Sequence, residues 1–131
     1  DSEIYLMNTD GRNPVLLVDN EDGIIEAPCF SIDSKKVLFT RDVSGYSSGT
    51  GRQLDTHIFS IDISTLFIDD LSSSKADGTN DTNPRYSPNG ASIIFENASN
   101  VSGSEKTLYS MSSGGGNRTE LFINAEMPDW R

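Results

Sequence analysis

The sequence predicts an all-β protein, a β-propeller segment of about three four-stranded antiparallel blades that one chain alone does not close. Three observations carry this reading. Residues 27–40 return as residues 83–96: in both copies a proline stands two residues before an aromatic (Pro28 and Phe30, Pro84 and Tyr86), a serine follows, and a three-residue apolar run ends at Phe39 or Phe95. The start of a third copy stands at Pro128, Asp129 and Trp130. Between the copies lie further short apolar runs separated by polar turns, and repeats of roughly 40–50 residues with four short strands each are the mark of propeller blades. No segment shows helical periodicity.

In chain order, residues 4–7 form a short run rich in strand formers, and the polar stretch around Asp10 and Gly11 leads back into the apolar run 15–18. Two apolar runs about an Asp-Gly read as an antiparallel hairpin. Residues 19–23 make a second polar turn. The repeated motif then supplies a first strand with its proline near the start, since proline cannot donate in a strand's middle. Ser87, Pro88 and Gly90 occupy the positions that a type I turn prefers for serine, proline and glycine. The earlier copy has Ile32 and Ser34 instead of the proline and glycine but keeps Ser31 and Asp33, so the same bend is expected there. The runs 37–39 and 93–95 are second strands, β-branched and aromatic as buried strands prefer.

Residues 41–56, with Gly45, Gly49 and Gly51, read as a long mobile hairpin loop, and residues 97–106 as its counterpart. Residues 57–63 and 107–111 match residues 4–7 as third strands, their aromatics recurring at Tyr5, Phe59 and Tyr109. Residues 65–71 and 119–123 match residues 15–18 as fourth strands, and residues 70–83 are polar. The blade parts are thus 1–24, 25–72, 73–124 and 125–131 of a single propeller domain. Ends phased in this way leave the ring open, so the chain is expected to be a section of a longer propeller or to assemble with further copies. Terminal blades would then expose apolar patches and unpaired edges.

Composition narrows the partners. Apolar residues make up 34% of the 131, and adding the 11 glycines still leaves the chain below the usual ~45–50%. A formal charge of -10 repels phosphate backbones and anionic lipid surfaces, which argues against nucleic acid. No apolar run approaches the ~18–20 residues of a membrane-spanning helix, and residues 1–4 lack the regions of a secretory signal. Cys29 is the only cysteine and reads as a small buried apolar residue.

The quoted pattern, Pro-x-aromatic-Ser-Pro-Asn/Asp-Gly, an apolar run ending in Phe, then Ile/Leu-aromatic-x-Met/Ile before Asp-Gly or Gly-Gly, resembles the WD-repeat-like propeller repeats of the TolB family over essentially the whole chain. Agreement is closest at residues 84–95 and 4–11. The resemblance implies a non-catalytic binding or scaffolding module of the bacterial envelope, periplasmic or extracellular, with a protein partner or self-association completing the propeller. Similar repeats occur in propellers attached to secreted peptidases and carbohydrate-active enzymes, so the alternative is the substrate-gating portion of a larger hydrolase. Fold alone does not choose between them.

No catalytic constellation is visible in the chain. His57 is the sole histidine and reads as a surface or cap residue, and no Gly-x-Ser-x-Gly elbow occurs. No cofactor or metal is expected, because neither acidic turn, at residues 8–13 or 19–23, completes a calcium loop. Binding is the better hypothesis. Residues before and within propeller first strands line the channel or its mouth, which makes Glu26, Asp81, Asn83, Arg85 and Asp129 the candidate contacts. Arg85, a positive charge in an acidic chain, is either such a contact or half of a structural salt bridge. Phe30, Tyr86 and Trp130 are assigned to inter-blade packing.

Overall fold

A computed structural model describes residues 2–20, 23–44 and 53–130. Its elements are all strands: β1 (Ile4–Leu6), β2 (Val15–Val18), β3 (Ile25–Phe30), β4 (Lys36–Asp42), β5 (Thr56–Asp62), β6 (Ile68–Asp70), β7 (Thr79–Tyr86), β8 (Ser92–Ser99), β9 (Thr107–Ser112) and β10 (Thr119–Ile123). They form a hairpin β1-β2 and two four-stranded antiparallel sheets, β3-β4-β5-β6 and β7-β8-β9-β10, with no closed barrel. Among the described residues no helix is long and apolar enough to cross a membrane.

Alternation along the strands explains why the sheets stack. Val37 and Phe39 of β4 and Phe59 and Ile61 of β5 turn toward the β1-β2 hairpin, where Ile4, Val18 and Ile25 complete one core. Leu38 and Ile58, each one residue out of phase with that set, turn the other way and meet Ile93, Phe95 and Met111 of the next sheet in a second core. The middle sheet is therefore apolar on both faces, as an internal blade must be. Phe39 and Phe59 stack at 5.6 Å between ring centroids, and Arg41 lies 4.6 Å over the Phe59 ring.

The two repeated turns are wired identically. Ser34 N donates to Ser31 O at 2.9 Å and Gly90 N to Ser87 O at 2.8 Å, while Lys36 N and Ser92 N each donate to the hydroxyl of the first serine. Ser34 holds φ 56° where Gly90 holds 71°, so the turn survives loss of its glycine at a cost of roughly 1–2 kcal/mol for a non-glycine residue in the left-handed region. On the outer side Asp62 closes the β5-β6 turn by accepting from the Ser64 hydroxyl and the Ser64 and Thr65 amides. Those bonds, the hydroxyl's first, hold its carboxyl at about 2.

The strands depart from the sequence expectation in four places. The first strands start earlier than expected: Pro28 and Pro84 sit near the ends of β3 and β7, not near their starts. Each proline lies in a β-bulge, where the ladder skips from Glu26 to Cys29 and from Thr82 to Arg85, so its missing N–H costs no ladder bond. The polar stretch 79–83 and the beginning of the expected loop at 97–99 pair with each other as strand, because their buried polar side chains find partners there. β6 is shorter than expected, the Asp62 turn having taken residues 62–67. The loop glycines Gly45, Gly49 and Gly51, and Glu21 of the acidic turn, lie outside the described residues.

Candidate binding edge

The candidate contacts belong to the first strands β3 and β7, each an edge of its sheet, and to the extended segment 125–130. These three stretches share one backbone device. The residue before each proline has a positive φ: Ala27 at 54°, Asn83 at 52° and Met127 at 58°. Segment 125–130 therefore already carries the bend of a first strand, though among the described residues it pairs with no second strand. It is held by Ala125 N donating to Lys106 O at 3.0 Å, by Met127 N donating to Glu96 Oε1, and by Trp130 Nε1 donating to Arg85 O at 3.3 Å.

Glu96 is fully buried and is matched by Thr40 in the preceding sheet, whose hydroxyl donates to Glu26 O at 3.2 Å. A carboxylate is tolerated there because Lys106 lies 3.1 Å from its other oxygen as an ion-pair partner. Lys106 also bonds Glu126 at 3.0 Å, and this bond, then Glu96, raises its pKa. Thus a charge cluster fastens the third first-strand copy to the outer face of the last sheet.

The five candidates fall into different environments. Glu26 is exposed on β3, and its backbone carbonyl takes the Thr40 bond. Asn83 is half-buried, and its side chain makes no hydrogen bond among the described residues. Asp129 is exposed, its carboxylate accepting from Trp130 N at 2.9 Å. Arg85 is half-buried; its guanidinium donates to Pro84 O at 2.8 Å and has no carboxylate within ion-pair reach among the described residues. Trp130 joins Arg85 and Asp129 at one junction, whereas Glu26 lies on the neighbouring first strand.

Asp81 differs from the rest, being sealed inside the molecule with no exposed surface. Its carboxylate accepts a bidentate pair from Arg118 at 2.6 and 2.8 Å, one bond from Ser72 Oγ at 2.7 Å and one from Asn97 Nδ2 at 2.7 Å. The Arg118 guanidinium also lies 4.6 Å over the Phe95 ring and 5.3 Å over Tyr109. The network spans both four-stranded sheets, since Ser72 follows β6 and also receives the Ile58 amide. In this arrangement Asp81 ties blades together and presents nothing to a ligand.

Arg118, Asn97, Ser72 and the Glu96–Lys106 pair were not singled out by the sequence, because none recurs at the matching position of another repeat. One signal was available: the position of Asp81 in the earlier copy holds Ile25, a core residue, which marks the site as inward-facing.

His57 is only partly exposed, with 16% of its side chain open to solvent. Its ring stacks on Phe59 at 6.1 Å, with Nδ1 2.9 Å from Asp70 and Nε2 3.3 Å from Asp55. Lys75 bonds Asp55 from the other side and holds that carboxyl below its ordinary range. Cys29 is half-buried against the second core beside Tyr86, whose phenol is pushed up to about 12, first by burial. A cleft of about 290 Å³ between the two repeated turns is walled by Ile32, Lys36, Tyr86 and Asn89. Among the described residues no group of three or more His, Cys, Asp or Glu side chains is placed to hold a metal ion.

Stacked antiparallel sheets with bulged inner strands and two-sided cores define an open section of a β-propeller. It is a TolB-like one: a structure from Agrobacterium tumefaciens assigned to TolB superposes with a TM-score of 0.70 at 22% identity, over 92% of this chain and 41% of that one. TolB from Acinetobacter baumannii gives 0.62 at 26% identity, over 91% of this chain and 26% of that one. The chain spans less than half the length of either. No family model and no curated protein sequence matches it.

Proposed function

We propose that this chain is a non-catalytic, protein-binding section of a propeller from the bacterial envelope, and that its inner edge, formed by β3, β7 and segment 125–130, makes the contact. One observation carries the reading: Arg85, a half-buried residue on that edge, has no carboxylate within ion-pair reach among the described residues. A guanidinium that spends one donor on Pro84 O and has no carboxylate beside it keeps its other donors for a carboxylate or carbonyl of a partner, and such charge-assisted bonds contribute roughly 1.5–3 kcal/mol each. Asn83, Glu26 and Asp129 supply further polar groups along the same edge. The likeness to TolB supports the envelope location and the choice of a protein as partner.

The immobilised chain should retain a protein from a periplasmic extract. Arg85→Ala should lower the retained amount roughly ten- to a hundred-fold, which is what about 1.5–3 kcal/mol amounts to. Its melting temperature should stay within the small range of a surface substitution. A variant that melts much earlier yet captures as well as the parent would assign Arg85 to structure alone.

A further inference from the structure

We propose that the cleft between the two repeated turns binds one ring of a neutral sugar. The site is independent of Arg85. Its volume is about 290 Å³, and it lies between the turn that follows β3 and the turn that follows β7, one on each four-stranded sheet. Ligand pockets run from roughly 300 to 1,000 Å³, so a space at the bottom of that range suits a single ring better than an extended chain. The wall begins with a departure from the repeat. Where the later turn has Pro88, the earlier one has Ile32, 64% exposed. Ile32 faces the other turn, since a side chain begun at Gly90 would stand 3.9 Å from its Cβ and Cγ1. Tyr86 gives a second apolar wall, half-buried with its side chain packed against the second core. Aromatic and aliphatic walls of this kind receive the C–H face of a ligand ring.

Around these walls stand hydrogen-bonding groups that the fold does not use. The Tyr86 hydroxyl, Lys36 Nζ and Ser113 Oγ line the cleft and make no hydrogen bond among the described residues. Asn89 accepts from Ser87 Oγ and Ala91 N through its Oδ1, which leaves Nδ2 to donate elsewhere. Asp33 likewise spends Oδ1 on the Ser31 hydroxyl and on Lys35 N, which leaves Oδ2 as an acceptor. Those two bonds, the hydroxyl's first, hold its carboxyl below the ordinary range, so the acceptor is charged. Among the described residues Asp33 and Lys36 form no ion pair with each other.

This lining selects the chemistry of the ligand. The Asp33 carboxylate opposes an anion, and the formal charge of -10 on the chain opposes it further, while the Lys36 ammonium opposes a cation. A hydrocarbon would take water from these polar groups without replacing its hydrogen bonds. An uncharged molecule that donates and accepts around its rim and carries an apolar face satisfies both walls and polar groups, and a pyranose ring is such a molecule.

Amide NMR of the isotope-labelled chain titrated with methyl β-glucoside should show saturating shifts at residues 31–36, 86–91 and 113. The dissociation constant should be about 1–10 mM, the scale of a small uncharged ligand. Raising salt from about 0.05 to 0.5 M should leave it unchanged, since no charge pairing is involved. Glucuronate, and glucosamine in its ammonium form, are charged relatives of the same ring and should bind roughly threefold or more weakly. Tyr86→Phe keeps the ring and removes the hydroxyl, and should weaken binding roughly three- to tenfold. Ile32→Pro installs the residue of the later turn and costs no backbone bond, because Ile32 N donates none among the described residues. It should melt no lower than the parent and bind roughly three- to tenfold more weakly. The proposal is overturned by absence of saturating shifts up to about 100 mM sugar, by shifts centred outside those residues, by tighter binding of either charged sugar, or by parental affinity in both variants.

Discussion

Asp81→Ala should cost the fold about 3–5 kcal/mol, the range for removing one partner of a buried ion pair. The size follows from what the substitution leaves behind. Arg118, 16% exposed at its side chain, keeps its charge against the Phe95 and Tyr109 rings with no carboxylate, and Ser72 Oγ and Asn97 Nδ2 lose their acceptor together. For a domain of this length that corresponds to a fall in melting temperature of roughly 10–20 °C. The account also predicts a partial rescue. Asp81→Ala combined with Arg118→Met should be more stable than Asp81→Ala alone, since the uncompensated charge is gone while the packing over the rings is kept. A loss below about 1 kcal/mol, the scale of a surface pair, would show the network to be solvated.

Phe95→Ala should be comparably severe, about 3–5 kcal/mol, because it empties the middle of the second core. Phe95 is fully buried, packs among Leu38, Ile58, Ile93 and Met111, stacks on Tyr109 at 6.0 Å and carries the Arg118 guanidinium on its face. A cavity there loosens one sheet from the next as well as weakening its own sheet. Chemical denaturation of Phe95→Ala, Arg118→Ala and the double variant should give a coupling of about 0.5–2 kcal/mol, as a partly desolvated cation–π contact requires. Phe67→Ala, at a ring 66% exposed, should change stability by no more than about 0.5 kcal/mol.

The architecture was legible because the repeat is written in residues whose chemistry is local. Pro-x-aromatic-Ser and the apolar run ending in Phe39 or Phe95 mark strand, turn and strand wherever they occur, and the Ser31 and Ser87 turns fold alike although one lacks the proline and glycine. What escaped the sequence depends on pairs distant along the chain. Residues 79–83 and 97–99 look like loop by composition and become strand because Asn97 reaches Asp81 across the ladder. The proline positions were misplaced for a different reason: a bulge is a property of two strands, and neither strand alone shows it.

The site was less legible than the fold. Asp81 and Arg85 stand four residues apart on one strand and carry opposite charge, yet one is sealed and the other half open. The difference comes from the bulge between them, which shifts the strand's alternation at Asn83 and Pro84. Among the candidates this leaves Glu26, Asn83, Arg85 and Asp129 as the groups that are not sealed.

The inner edge is tested most directly by amide hydrogen exchange of the chain, free and with the protein it retains from a periplasmic extract. The account predicts slowed exchange at residues 26–30, 83–86 and 125–130, with β6 and β10 unchanged. Protection confined to β6 and β10, the edges on the far side of the sheets, would contradict it.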